Sequence, residues 1–455
     1  MRIIADLQIH SKYSRACSQE LNPKNIGLWA DKKGIGVIGT GDFTHPGWLL
    51  ELKENLEEVK PGLYRLNKSV GAGLGRPSSD SGRASAAPTE MPQVYFMLTA
   101  EVSSIYKQGD KVRRVHNLIF APDFAAVDRI IAGLEKAGAN LKADGRPIMG
   151  VHCGDLVKIV KEASSEAEVI PAHAWTPHFG VFGSLSGFNS IEEAFGDQAK
   201  YIHAIETGLS SDPKMNWLIS KLDNLSLISN SDAHSLRKIG REANVFEINP
   251  EKLAYSEIIK ILYGKNPAEF LFTIEFFPEE GKYHLDGHKD CKFSCVPSQT
   301  KKLKGICPVC GKKLLVGVLN RVDELADREW GFVPPRAVPY KSVVPLEEII
   351  AETLGVGTAS KKVLAMYEQM ISKTLTPVPL PMGEGGRRPG EGEFGILLDL
   401  DFDQIAKISS PEIAASIIRV REGKVKLEGG YDGVFGKIHI YPDTNSRPNT
   451  QKSLF

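Results

Sequence analysis

Residues 5–11 read ADLQIHS, an apolar lead that runs into Asp6, Gln8 and His10. In an extended segment alternate side chains share a face, so an acid, an amide and an imidazole are aimed together into one small volume. The first 275 residues repeat this plan. Short β-branched runs (MRIIADL, GVIGTGD, YFMLTAEVS, VHNLIFAP, IMGVH, EVIPAHA, YIHAIETG and LSLISNSDAH) alternate with amphipathic stretches such as PKNIGLWADKKG and DFAAVDRIIAGLEKAG. Strands separated by helices imply a parallel sheet, and about seven or eight such repeats imply that it closes into a barrel.

The polar residues cluster at the ends of these strands: Asp6, Gln8, His10, Asp42, His45, Glu101, His116, His173, Glu206, Asp232 and His234. Strand ends of a parallel barrel converge on one mouth, so residues far apart in sequence meet there. Any one of them is more often a cap or a hydrogen-bonded core group than a ligand. Together, imidazoles and carboxylates at one mouth form a donor set for zinc, manganese, magnesium or iron.

The chain is 455 residues long with no net charge, 42% hydrophobic and 25% charged. That length implies two or three domains, and no apolar run is long enough to cross a bilayer. The first residues lack the layout of a secretion signal, and six cysteines in so long a chain do not suggest a disulfide framework. A cytoplasmic location with no membrane partner is the expectation. Three units are expected: a barrel over 1–275, a cysteine-bearing module over 276–330 and a mainly helical C-terminal domain over 331–455. Within the last, PLEEIIAETLGVGTASKKVLAMYEQMISKTL reads as two helices joined at Gly355–Gly357, with Thr358 or Ser360 as cap. Residues 69–90 and 376–395 are rich in Gly, Pro and small polar residues and read as loops.

The central module carries Cys291, Cys295, Cys307 and Cys310 in CKFSCVPSQTKKLKGICPVCGKK. CPVCGKK is a zinc-knuckle pattern, in which backbone amides fold around two thiolates, so a closed structural zinc is expected. His288 is an alternative to Cys295 as a ligand. Residues 282–313 hold eight lysines against two acids, a net +6 that suits phosphate contacts.

At the strand-end motifs the chain resembles the polymerase and histidinol phosphatase (PHP) family of metal-dependent phosphoesterases. The resemblance implies a distorted (β/α)7 barrel with two or three divalent metals held by His10, Asp42, His45, Glu101, His116, His173, Asp232 and His234. Gln8 stands where the first His of the family's H-x-H belongs. Two readings of it are open: a weakened or lost ligand, or a hydrogen-bonding group behind the ligands. Phosphoester hydrolysis is then the expected chemistry, with Asp42, Asp232 and His173 as the catalytic set around an activated water. Arg237, Lys238 and Arg241 follow the last ligands and are candidates to hold phosphate, or else a solvated helix face. Trp175 and His178, in HAWTPHFGVFGS, are candidates for stacking on bases, or else packing under their loop. His152 is a further mouth candidate, and His203 and His439 read as structural.

With GKYHLDGHKDC, CPVCGKK, GVLNRVDELADREWG and GGYDGVFGKIHIY added, nearly the whole chain resembles the endonuclease Q family of DNA-repair nucleases. That implies cleavage 5′ to a deaminated base (uracil, hypoxanthine, xanthine) or an abasic site; the charge of the module separately makes Lys301 and Lys302 candidate DNA contacts. The final residues QKSLF resemble the peptide that docks on replicative sliding clamps, with Gln451, Leu454 and Phe455 as its anchors; an unused tail is the alternative. Two rival functions share the barrel. One is a small-molecule phosphatase of the histidinol-phosphatase type, which gives the lysine-rich module nothing to bind. The other is a DNA-binding protein with a weakened site, for which Gln8 is the evidence.

Overall fold

The computed structural model describes residues 1–67, 92–375 and 391–441. The loop expected over 69–90, most of the one over 376–395 and the tail with Gln451, Leu454 and Phe455 lie outside the described residues, apart from 391–395.

The opening segment forms the strand Arg2–Asp6, buried along almost all of its length because both faces are covered. It pairs in parallel with Val37–Gly39, which pairs in parallel with Tyr95–Gln108. There the expected all-parallel pattern ends. Tyr95–Gln108 and Lys111–Ala121 form one long antiparallel hairpin, and Glu168–Pro171 pairs antiparallel with the second arm. The cause is the two-residue turn at Gly109 and Asp110, with Gly109 at φ 61°, which can join antiparallel strands only. Ala204–Glu206 and Ser226–Ile228 return to parallel pairing. Ala243–Glu247 runs antiparallel to Arg2–Asp6, and beyond it lie Phe270–Glu275 and Tyr340–Ser342. The result is a mixed, distorted barrel.

The flanking helices form where their caps dictate. Pro23–Lys33 starts on the Asn22 side chain with Pro at its first turn and stops at Gly34, in the left-handed region at φ 84°. Phe124–Lys136 is capped by Asp123 and buries Val127, Ile130 and Leu134 at helical spacing against the sheet. The helical C-terminal part is built from Leu346–Leu354, Lys361–Thr374, Gly392–Leu398, Phe402–Ile408 and Pro411–Arg421. Gly355 ends the first of these and Ser360 caps the second, as expected. Gly392–Leu398 begins inside the stretch expected as loop, because Phe394, Ile396 and Leu397 carry an apolar face that the composition of 376–395 conceals.

Ion pairs join this part to the barrel, each with the base on the barrel and the acid on the helices: Arg2–Asp399, Lys32–Glu368, Lys33–Glu393, Arg237–Glu347 and Lys238–Glu348. Lys33–Glu393 is fully buried at 2.6 Å, and Glu393 also accepts bonds from the Tyr367 hydroxyl and the Leu346 amide. Among the described residues no helix is long and apolar enough to cross a membrane.

Behind the mouth, Glu275 is wholly buried and takes bonds from the hydroxyls of Ser229, Thr273 and Thr207. Burial pushes its carboxyl up to about 8, with the hydroxyl bonds opposing. The folded state therefore keeps this proton after the unfolded chain has lost it, and stability falls as pH rises from the ordinary carboxylate range through about 8. Glu275→Gln is expected to make the fall of melting temperature between about pH 5 and pH 9 shallower. An unchanged slope would show that Glu275 is ionised in the fold.

Candidate active site

The first ligand loop is held by what surrounds it. Ile9 bridges in parallel to Ala233, which sets His10 beside Asp232. The Trp48 indole donates to the Gly41 carbonyl at 2.8 Å and fixes the turn before Asp42. Gly41 sits at φ 63°, where an added Cβ would lie 2.2 Å from the Ile9 carbonyl oxygen, so only glycine lets these two strand ends approach. Asp42, His173 and Asp232, the three residues read as catalytic, all lie at positive φ (49°, 29° and 47°). Such strain in non-glycine residues persists only where the surroundings over-determine it, and it concentrates at functional sites.

Two groups of donors result: His10, Asp232 and His234, and Glu101, His116 and His173, in each of which the ligand atoms lie within 4.8 Å of one another. Glu101 joins them. Its Oε2 is 3.0 Å from His10 Nε2; its Oε1 is 2.6 Å from His116 Nδ1 and 3.2 Å from His173 Nε2. His10 Nε2 is also 3.1 Å from Asp232 Oδ1. Asp42 lies behind His10: Oδ1 is 3.0 Å from Nδ1, while Oδ2 accepts from the Ser11 amide and from the hydroxyls of Ser11 and Ser14. This carboxylate orients the imidazole so that Nε2 faces the mouth. Asp232 and His234 are the solvent-facing side, with side chains 26% and 35% exposed.

Some protonation states already suit cations, whereas His10 and His173, against burial, are raised by the neighbouring carboxylates and would give up that proton to a bound ion. Burial pushes the His116 imidazole down to about 4, with Glu101 opposing, so the ring is neutral as a ligand must be. Burial would raise Glu101, but the imidazoles and Arg146 hold it well below the usual carboxylate range. Asp232 is likewise held at about 2, against burial, by its bond to His10. Three carboxylates and four imidazoles gathered at one mouth, most of them buried, form a donor set that divalent ions would neutralise.

Gln8 is buried, and with its amide turned so that it can donate, the nitrogen lies 2.5 Å from both oxygens of Glu206. Glu206 also accepts from the His173 backbone N–H at 2.7 Å and the Asn230 amide at 2.9 Å. Burial pushes its carboxyl up to about 8.

Several expected residues lie elsewhere. His45 begins the helix Pro46–Asn55 and stacks on Tyr13 at 4.3 Å, outside both donor groups. Trp175 is 1% exposed and bonded to Asn216, so it packs the core and is not a stacking platform. Phe179 takes the place beside the site, stacked at 4.4 Å on His116, while His178 is half-buried near Tyr283. Arg237 and Lys238 are spent on Glu347 and Glu348. Arg241 is turned inward, donating to the Ser231 carbonyl next to Asp232. His152 stacks on Tyr106. Arg146, which sequence reasoning missed, approaches Glu101 at 3.4 Å from a loop with no periodicity to betray it. Ser11 and Ser14 are legible in the sequence only as neighbours of His10.

In the second module the donor atoms that meet are those of His288, Cys291, Cys307 and Cys310, and Cys295, expected among them, lies outside the group. The hairpin of Asp286–His288 with Phe293–Cys295 places Cys295 opposite Asp286, where its sulfur is buried against Thr300 Oγ1 at 3.2 Å. Lys302 is exposed, and Lys301 pairs with Asp323 at the surface.

No family model matches the chain. It is 30% identical over 272 residues to an uncharacterized protein of Methanocaldococcus jannaschii, of whose length the match spans about a third (32%). It is 28% identical to the Bacillus subtilis protein YqxK over 96% of this chain and 99% of that one. The lesion-specific endonuclease PfuEndoQ of Pyrococcus furiosus superposes with a TM-score of 0.79 at 28% identity, covering 99% of this chain and 98% of the other. Endonuclease Q in complex with a 27-mer duplex substrate, with an abasic lesion at its active site, gives 0.78 at 28% identity over 96% of each. Matched from end to end in fold, and carrying ionisable donors at the barrel mouth, the chain is similar to endonuclease Q over its whole length.

Proposed function

We propose that this chain is a DNA-repair endonuclease that hydrolyses the phosphodiester bond 5′ to a deaminated base (uracil, hypoxanthine or xanthine) or an abasic site. The observation that carries the reading is the meeting of two donor groups on Glu101 inside the barrel mouth. The match to endonuclease Q bound to a lesion-bearing duplex supports DNA as the substrate.

His10, Asp232 and His234 would hold one divalent cation, and Glu101, His116 and His173 a second. When bound, such ions acidify water at neutral pH and neutralise charge on the phosphoryl oxygens. Asp42 keeps His10 in the right tautomer, and the neutral His116 keeps a lone pair free. Arg146, at the rim beside Glu101, is the side chain best placed to meet a phosphate oxygen. His288, Cys291, Cys307 and Cys310 would hold a structural zinc that keeps the lysine-rich module folded against the backbone of the DNA. A lesion must leave the stack to bring its phosphate into so enclosed a mouth, and a deaminated base or abasic site leaves at least cost.

Gln8 serves as the fastener of Glu206, which in turn grips the strained His173 backbone. Gln8→Ala is expected to weaken metal binding by about 10–100-fold in a metal titration. A gain of one further ion per chain on Gln8→His would instead mark position 8 as a lost ligand.

The reading is tested on labelled duplexes carrying one deoxyuridine, deoxyinosine, deoxyxanthosine or abasic site beside an undamaged control, with nitrophenyl phosphate in parallel. A single nick on the 5′ side of each lesion is expected. Phosphate release from the monoester with all duplexes intact would point to the phosphatase reading instead.

A further inference from the structure

The turn Gly430–Gly436, GYDGVFG, joins the strands Lys426–Glu428 and Lys437–His439, yet it is fastened to the cysteine-bearing module and not to its own hairpin alone. The Gly430 amide donates to the Glu279 carbonyl at 2.7 Å, Gly433 to Lys282 at 3.0 Å and Gly436 to Glu280 at 3.1 Å. From the other side the Leu285 amide donates to the Gly430 carbonyl, and the Lys289 amide to Asp432 Oδ2 at 2.7 Å. A Cβ at Gly436 would sit 2.0 Å from the Glu279 carbonyl oxygen, so the close approach needs glycine. Asp432 and Gly433 take up positive φ (43° and 85°) to turn the chain. So much backbone fastening makes the turn rigid, and its tip is nevertheless apolar: Val434 is 39% and Phe435 53% exposed.

Its surroundings point to a polyanion. Lys282 Nζ lies 4.6 Å from the centre of the Phe435 ring, and Lys289, Lys292 and Lys437 are exposed nearby in the chain. A relay of neighbouring residues links the tip to the mouth. Lys282 precedes Tyr283, whose ring meets His178; the next residue, Phe179, stacks on His116 in the donor cluster.

We propose that Phe435, with Val434 beside it, is a wedge that enters the base stack of duplex DNA next to the lesion and occupies the gap left by the extruded nucleotide. This rests on the endonuclease reading above. A rigid apolar side chain flanked by cations fits that role, because lysines take the phosphates on either side while the ring replaces the stacking that extrusion removes.

The test uses the full chain and its Phe435→Ala and Phe435→Trp variants, with circular dichroism melts to show that the exposed substitution leaves the fold intact. In chelator, to prevent cutting, 2-aminopurine is placed beside a deoxyuridine. Wild type is expected to change its emission on binding, Phe435→Ala to lose most of that change and Phe435→Trp to keep it. With metal restored, Phe435→Ala is expected to lower kcat/KM on the paired duplex by on the order of tenfold, and to leave a single-stranded deoxyuridine substrate within about threefold, since no stack has to be opened there. Equal losses on both substrates, or none on the duplex, would overturn the wedge while leaving the endonuclease standing. Failure of the wild type to bind or nick any lesion duplex would overturn both.

Discussion

Replacing Glu101 by glutamine is expected to lower metal-supported nicking by on the order of 10³-fold, the effect of several kcal/mol of lost charge stabilisation. Glu101 is the side chain that belongs to both halves of the site, with one oxygen toward His10 and the other toward His116 and His173. Glutamine keeps the shape, removes the charge and puts an N–H where an imidazole needs an acceptor. The defect should show as a lower metal content per chain by mass spectrometry, together with the slower single-turnover rate. His10, relieved of one carboxylate among three, should titrate lower, which NMR of the ring would show. A variant with full metal content and full rate would mean that the two donor groups work independently.

Cys307→Ser is expected to release the structural zinc and open the module, whereas Cys295→Ser is expected to leave the zinc in place. The contrast follows from position. Cys307 belongs to the four-donor cluster, and although burial opposes, the backbone N–H groups of Val309 and Cys310 pull its thiol down to about 7, ready to bind as thiolate. Cys295 touches Thr300 instead. The apolar cluster around these sulfurs is small, with Leu314 buried and Phe293 and Leu303 partly buried against it. A structural zinc contributes about 10–16 kcal/mol in small zinc modules, far more than so small a core. Loss of the module should also reach the mouth, because Arg321 ties the neighbouring helix to the carbonyls of Phe182 and Phe188 in the barrel loop. A chromogenic zinc-release assay with limited proteolysis over 282–316 measures both variants. Equal release from Cys307→Ser and Cys295→Ser would refute the assignment of His288.

What can be read from the chain follows from periodicity and from local chemistry. The strand Arg2–Asp6 and the convergence of His10, His173, Asp232 and His234 need only the alternation of side chains and the rule that strand ends meet at one mouth, and the cap at Ser360 needs only local chemistry. Glu101 and His116, expected at strand ends, lie instead inside the antiparallel strands Tyr95–Gln108 and Lys111–Ala121, where that rule does not place them. What cannot be read depends on tertiary partners. Arg237 and Lys238 look like phosphate ligands until Glu347 and Glu348, more than a hundred residues on, come to rest against them. His45 lies three residues after Asp42 and has the right chemistry, but one turn of chain carries its ring onto Tyr13. Trp175 sits in a glycine-containing loop of the kind that is usually exposed, and its indole finds Asn216 in the core. Arg146 comes from a segment without any pattern, so only the fold can bring it to Glu101. The antiparallel hairpin is signalled by Gly109–Asp110 between two β-rich runs, a turn signature outweighed by the α/β rhythm around it.

The most direct measurement strips the protein of metal with chelator, restores Mg²⁺, Mn²⁺ or Zn²⁺ singly, and follows a duplex with one abasic site in single turnover. The expected result is no cleavage without metal, one nick beside the lesion once an ion returns, and a nick slowed by on the order of 10³-fold from Glu101→Gln under the same conditions. Cleavage that persists in chelator, or an intact duplex with every ion, would contradict a barrel mouth built to hold cations against a DNA phosphate.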